Sequence, residues 1–142
     1  MSEATVPEMT MPKHGEFCWT EIAINDLEAC KSFYKNVFGW ELKVSNAASE
    51  NFEYQEFSAN SGSYPMGGMY QISEEMFGEY PPPPHFLNYV SVDNVDETTS
   101  KAYDLGAKII KEPLEVPNVG KMSIIQDPAG GMIAFITLGG QP

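Results

Sequence analysis

Glu21 lies in the middle of the apolar run Phe17 to Ile24, FCWTEIAI, and His85 follows four consecutive prolines at the head of a second such run. A carboxylate with apolar neighbours on both sides of a strand must be paired, hydrogen-bonded or shifted in pKa. Its functional reading is a general base or a counter-ion for a cationic ligand group. Its plain reading is an acid bonded to a neighbouring tyrosine, serine or backbone amide. His85 offers acid or base chemistry near neutral pH, against the simpler role of a solvated strand end. Cys18 and Cys30 form neither a disulfide framework nor a zinc pattern, and each sits in an apolar segment where a thiol packs as a small hydrophobe. No serine or cysteine nucleophile motif occurs. Gly67-Gly68 and Gly130-Gly131 lack the strand-to-helix setting of a phosphate loop, which leaves them turn and close-packing roles.

Composition narrows the partners. The 142 residues carry a net charge of −12, and all eight basic residues are lysine. Nucleic acid and anionic membrane surfaces need a basic stripe, so neither is an expected partner. Without arginine the chain also lacks the bidentate fork that clamps phosphates and carboxylates. No apolar run reaches the roughly 18 residues needed to span a bilayer, and Met1 to His14 does not read as a signal peptide. A cytoplasmic location with reduced cysteines is expected.

Residues 1–14 have no periodicity and read as a disordered tail, with a single domain over 15–142. Phe17 to Ile24 reads as a strand. A helix follows, capped by Asn25 with Glu28 at its third position, showing Ala29, Phe33, Val37 and Phe38 on one side and ending at Gly39. Strands are expected at Trp40 to Val44, Phe52 to Ser58 and Tyr64 to Ile72. The stretch FGEYPPPP, Phe77 to Pro84, reads as a stiff connector. The plan then restarts: a strand at Phe86 to Val92, a cap at Asp93-Asn94, and a helix from Val95 to Leu105 with Val95, Ala102 and Leu105 inward. Gly106 stops it, and strands follow at Ala107 to Lys111, Lys121 to Gln126 and Met132 to Leu138. The punctuation repeats about every 67 residues as strand, helix, three strands. The fold class expected is α+β: two paired βαβββ modules, about 15–76 and 85–138, whose open sheet faces close on each other around a cupped cavity.

Several stretches carry a family likeness. DLEACKSFYKNVFGWEL (Asp26 to Leu42), YVSVDNVDETTSKAYDLGAKII (Tyr89 to Ile110) and QDPAGGMIAFI (Gln126 to Ile136) together resemble the vicinal oxygen chelate superfamily of glyoxalases, bleomycin-resistance proteins and extradiol dioxygenases. In metal-dependent members the resemblance implies ligands on strands one, four, five and eight. Three of those positions correspond here to Trp19, Leu87 and Ala134, and the fourth falls within Pro65 to Tyr70, PMGGMY. None of these side chains offers a divalent cation a suitable lone pair. No metal and no other cofactor is therefore expected.

Strand parity assigns the cavity lining. If Trp19 faces the cup, so do Phe17, Glu21 and Ala23, with His85, Leu87, Tyr89 and Ser91 from the fifth strand and Met132, Ala134 and Ile136 from the eighth. Trp19, Glu21, Leu87, Tyr89, Met132 and Ala134 are the ligand-binding candidates, and Glu21 and His85 the catalytic ones. Tyr54 and Glu56 share a parity whose face the sequence does not assign. The expected function is metal-free binding of a small, neutral or cationic, partly aromatic molecule, for example by sequestration. The alternatives are a lyase, isomerase or dioxygenase-type enzyme using Glu21, His85 or an unrecognised metal site, and a scaffold domain that fills its own cavity. A second copy of the chain, as a homodimer, is the remaining expected partner.

Overall fold

Eleven elements follow one another as β1 (Phe17–Ile24), α1 (Leu27–Phe38), β2 (Glu41–Val44), β3 (Tyr54–Ser58), β4 (Pro65–Gln71), α2 (Glu74–Phe77), β5 (His85–Ser91), α3 (Val95–Asp104), β6 (Lys108–Val116), β7 (Gly120–Gln126) and β8 (Met132–Leu138). They come from a computed structural model that describes residues 11–45, 48, 53–60 and 62–139. Most of the expected tail, and Phe52 of the third expected strand, lie outside the described residues. Pro12 and His14 are tied to the fold: the Ser91 hydroxyl donates to the Pro12 carbonyl at 3.3 Å, and the Asp93 amide to His14 Nδ1 at 2.9 Å.

The eight strands form one sheet in the order β2-β3-β4-β1-β5-β8-β7-β6. Within each half the first strand runs parallel to the last, β1 to β4 and β5 to β8, so the repeated strand-helix-three-strand plan is real. The halves meet edge to edge. β1 and β5 pair antiparallel, with Trp19 opposite Tyr89, Glu21 opposite Leu87 and Ala23 opposite His85. This corrects the expectation that open faces would stack. Without that pairing β1 and β5 would each present a row of unpaired amides and carbonyls at a sheet edge.

Local chemistry sets the helix ends. Asp26, rather than Asn25, caps α1, its Oδ1 accepting the Ala29 amide at 3.0 Å, and Gly39 closes the helix in the left-handed region at φ 77°. Asn94 caps α3 by accepting the Glu97 amide at 3.0 Å. The buried faces differ from those expected. α1 turns Leu27, Cys30 and Tyr34 onto Ile22, Ile24, Phe57 and Met69, and leaves Phe33 57% exposed with Val37 and Phe38 beside it. Leu27, the first helical residue, enters the core directly after β1 and fixes the helix phase. Tyr34 then stacks on Trp40 at 4.9 Å, and Trp40 on Phe57 at 4.6 Å. In α3, Val95 and Thr99 are buried whereas Leu105, at the C-cap, is 70% exposed.

Two elements exceed the expectation. α2 is a single turn capped by Ser73, whose hydroxyl accepts the Met76 amide at 3.4 Å. β6 continues past Pro113 to Val116 through two register shifts, which an outer strand tolerates because one of its sides needs no ladder.

Both long helices cover the same side of the sheet. α1 packs over Ile22 and Met69, and Val95 of α3 over Val92 and Phe135, all of opposite parity to Glu21. The Glu21 side has no long helix, yet Leu87, Tyr89, Met122, Ala134 and Ile136 are buried there. The sheet curls to bury them. Val116 of β6 and Val119 after it pack against the Leu87–Tyr89 cluster, although a flat sheet would set β6 about 14 Å from β5.

Candidate functional site

Register delivers the side chains that meet on the curled side. Trp19 and Glu21 alternate along β1, and Tyr89 of β5 stands opposite Trp19. Glu21 is also opposite Gly68 of β4, which in turn is opposite Glu56 of β3. Tyr54 is two residues before Glu56 and shares its face, so β3 contributes a phenol from beyond β4. That contact depends on Gly68: a Cβ there would collide with the Tyr54 ring and hydroxyl. Gly68 is thus a mid-strand close-packing residue that clears the path from Tyr54 to Glu21.

Glu21 is the terminus of a directed hydrogen-bond network. The Tyr54 hydroxyl donates to Oε2 at 2.9 Å and the Tyr89 hydroxyl to Oε1 at 3.0 Å. The Trp19 indole N–H donates to the Tyr54 oxygen at 2.9 Å. Each module supplies one phenol to a carboxylate borne by the strand at their seam. Behind Tyr54 the rings continue, Tyr70 lying 6.3 Å away and Phe77 a further 6.4 Å on, all near-parallel.

Burial dominates the electrostatics. It pushes the Glu21 carboxyl above its ordinary value near 4.5, against the two phenol hydrogen bonds and the more distant charges of His85 and Lys111. Part of the residue's surface nonetheless stays open to solvent. Glu21 is thus largely enclosed by protein while a remainder of its surface is reachable by water. Burial, and then the charge of Glu21, drive the Tyr54 and Tyr89 hydroxyls far above the ordinary phenol range, so both remain donors at neutral pH. Tyr70 shifts upward for the same two reasons.

The residues singled out from sequence fall as follows. Trp19, Glu21, Leu87, Tyr89 and Ala134 share the curled face, Leu87 opposite Glu21 and Ala134 opposite Tyr89. Met132 continues the row of Ala134 but is exposed at its end. His85 lies opposite Ala23, with Nδ1 donating to the Pro83 carbonyl at 2.8 Å. Phe17 does not join them. A bulge between Phe17 and Trp19 pairs Phe17 with Val90 and leaves it 68% exposed, while Cys18 packs towards the Tyr89 cluster and its Sγ donates to the Tyr89 carbonyl at 3.6 Å. The sequence leaves the face of Tyr54 open and gives Gly68 a turn or close-packing role without naming its neighbour, and Tyr70 is not among the site residues it offers. The adjacent glycines in a strand were the available signal, since they mark close approach of a neighbour.

The donor set does not fit the superfamily's metal. β4, β1, β5 and β8 are consecutive in the sheet, so the corresponding positions do converge. Their side chains are indole, isobutyl and methyl on three strands, and on β4 Met66, Gly67, Gly68 and Met69 bring no carboxylate or imidazole. Among the described residues no three His, Cys, Asp or Glu side chains group closely enough to hold an ion.

The two-module sheet and the convergence of those four strands define a glyoxalase-type fold. The chain belongs to the Glyoxalase/Bleomycin resistance protein/Dioxygenase superfamily, whose family model matches residues 17–135. It is 25% identical over 136 residues to the putative glyoxylase CFP32 of Mycobacterium tuberculosis, covering 88% of this chain and 48% of that protein. It is 26% identical over 133 residues to the anthracycline biosynthesis protein DnrV of Streptomyces peucetius, covering 89% and 48%. The chain thus spans about half the length of these curated relatives. In structure it is similar to methylmalonyl-CoA epimerase from Mycobacterium tuberculosis, with a TM-score of 0.58, 13% identity, and coverage of 93% of this chain and 94% of that one. No helix among the described residues is long and apolar enough to cross a membrane.

Two outcomes test the network. Gly68→Ala forces Tyr54 off Glu21 and costs about 1–3 kcal/mol in urea unfolding, with loss of the Trp19 indole N–H's downfield NMR position. In the second test, wild type and Glu21→Gln are unfolded in urea across a pH series. With its pKa raised in the folded state, Glu21 keeps its proton there after the unfolded chain has lost it. Wild-type stability relative to Glu21→Gln therefore falls as pH rises above about 4.5, by at most about 1.4 kcal/mol per pH unit. A rising difference would mean that the phenol hydrogen bonds outweigh burial.

Proposed function

We propose that the chain binds a small, neutral or cationic, partly aromatic molecule in an apolar cavity beside Glu21, without a metal, in the manner of a sequestering bleomycin-resistance-like protein. One observation carries this reading: a desolvated yet accessible carboxylate sits among Trp19, Tyr54 and Tyr89 at the convergence of strands that offer no metal donors. Aromatic and aliphatic walls with a few aimed polar groups are the usual make-up of a small-molecule site. Leu87, Ala134 and Met132 extend the apolar wall across the seam. The acidic balance of the chain disfavours an anionic ligand.

A second reading, proton transfer, is favoured by the placement of His85. Its Nδ1 is committed to the Pro83 carbonyl, so in the neutral ring Nε2 carries the lone pair, on the same face of the sheet as Glu21. In that reading Glu21 and His85 act as general bases. The names of the glyoxylase and epimerase relatives lend it support. Cytoplasmic residence is consistent with two unpaired cysteines, Cys18 and Cys30. The exposed Phe33, Val37 and Phe38 of α1 are apolar surface of the kind a homodimer would cover.

A thermal-shift and calorimetric panel of neutral and cationic aromatic compounds tests the binding reading. Binders are expected to raise Tm and to weaken at least tenfold on Glu21→Gln. Absence of any shift, or binding that survives this substitution unchanged, contradicts it. Deuterium uptake from solvent into a bound compound's C–H bond, lost in Glu21→Gln, would instead select proton transfer.

A further inference from the structure

We propose that a second copy of the chain covers the helix side of the seam, so that two copies meet there with the Glu21 sides of their sheets turned outward. This inference rests on the homodimer reading, to which it gives a surface, and is independent of any ligand at Glu21.

The helices leave the seam open on their own side. α1 packs over Ile22, Phe57 and Met69 of β1, β3 and β4, and α3 over Phe135 of β8. Between them β5 turns Phe86, opposite Ile22, to solvent, and the hydrogen-bonded pair of Thr20 and Asn88 is exposed beside it. Phe17, opposite Val90, is exposed at the other end of the seam. The near flanks of the helices add to this surface. Glu28, Lys31 and Lys35 border a groove against Glu41 and Leu42 of the outer strand β2, so the opposite flank of α1, with Phe33 and Val37, is turned to the seam. Ser100, Tyr103 and Asp104 likewise border Ile109 and Glu112 of the outer strand β6, which turns Thr98 and Leu105 at the other flank of α3 to the seam.

Area and charge select the occupant. Phe17, Phe33, Val37, Phe86 and Leu105 are each more than half exposed. Together they leave on the order of 500 Å² of apolar surface open, in the range that marks an interaction site on a monomer. A stable interface covers about 800 Å² on each partner, apolar at its centre and polar at its rim. These five side chains supply such a centre. None of the residues turned to the seam on this side, Thr20, Asn88 and Thr98 included, carries a charge, whereas the chain as a whole has a net charge of −12. In a two-fold contact each residue near the axis meets its own copy, so acids placed there would repel. An uncharged face is where two such chains can approach. One helix flank stands on either side of the strand pair, the repetition that a self-complementary surface requires.

Sedimentation velocity of the full chain over a concentration series, at low and at moderate salt, tests this. A dimer is expected that tightens with added salt, because screening relieves the repulsion of the two net charges. Phe33→Glu and Phe86→Glu, both at exposed positions, are each expected to weaken it at least about thirtyfold. Val44→Glu, exposed on the outer strand β2, is expected to change it less than about twofold. The wild type is read in parallel by NMR: a soluble paramagnetic probe broadens the Phe86 ring signals of the dilute monomer and spares them in the dimer. A wild type that stays monomeric up to millimolar concentration overturns both the homodimer reading and this surface. A dimer that keeps its affinity in Phe33→Glu and Phe86→Glu, that salt dissociates, or that leaves Phe86 as open to the probe as in the monomer overturns the surface alone, and the homodimer reading stands.

Discussion

The antiparallel pairing of β1 with β5 is the constraint on which the rest of the molecule depends. Each βαβββ module alone would end at an unpaired edge, and the seam joins those edges into one eight-stranded sheet. The join is fastened on both faces. On one, the Thr20 hydroxyl donates to Asn88 Oδ1 at 2.8 Å, and on the other Trp19 and Glu21 stand opposite Tyr89 and Leu87. The backbone pairing continues beyond the strand, with the Gly15 amide donating to the Ser91 carbonyl and the Ser91 amide to the Glu16 carbonyl, each at 2.7 Å. Once this register is set, the positions of the site follow, because a slip by one residue would turn Glu21 onto the helix-covered face.

Glu21 converts that seam into chemistry. One module supplies Tyr54 and the other Tyr89, so a single carboxylate reads whether both halves are in place. The order of donors is fixed by their chemistry. Indole can only donate, a phenol can accept one bond and donate the next, and an ionised carboxylate can only accept. Trp19, Tyr54 and Glu21 therefore form a chain with one direction. At the strands that converge, the aligned positions carry indole, isobutyl and methyl groups, and the carboxylate beside them is held by two phenols.

Much of this was legible in the sequence, and the parts that were not share a cause. The bounds of β1 and β8, the stop at Gly39 and the cap at Asn94 depend on period-two patterning and turn chemistry, which are local. The cup-facing parity of Trp19, Glu21, Leu87, Tyr89 and Ala134 follows from the same alternation. The face of α1 was not legible, because Ala29, Phe33 and Val37 and also Leu27, Cys30 and Tyr34 recur at helical spacing. Tertiary packing of Leu27 against Ile22 and Met69 selects the second set. The bulge that expels Phe17 has no glycine or proline to announce it. Tyr54 could not be assigned a face until β3 was registered against β4, and its reach to Glu21 is a consequence of Gly68 on β4, the strand beside the seam.

The central claim is that burial at the seam, rather than hydrogen bonding, governs the state of Glu21. A carbon-detected NMR titration of the Glu21 side-chain carboxyl in the folded protein tests this most directly. The account predicts a midpoint above the ordinary value near 4.5, with the Tyr54 and Tyr89 ring signals moving in the same transition. A midpoint at or below that value, or one that leaves both tyrosines unmoved, would contradict it.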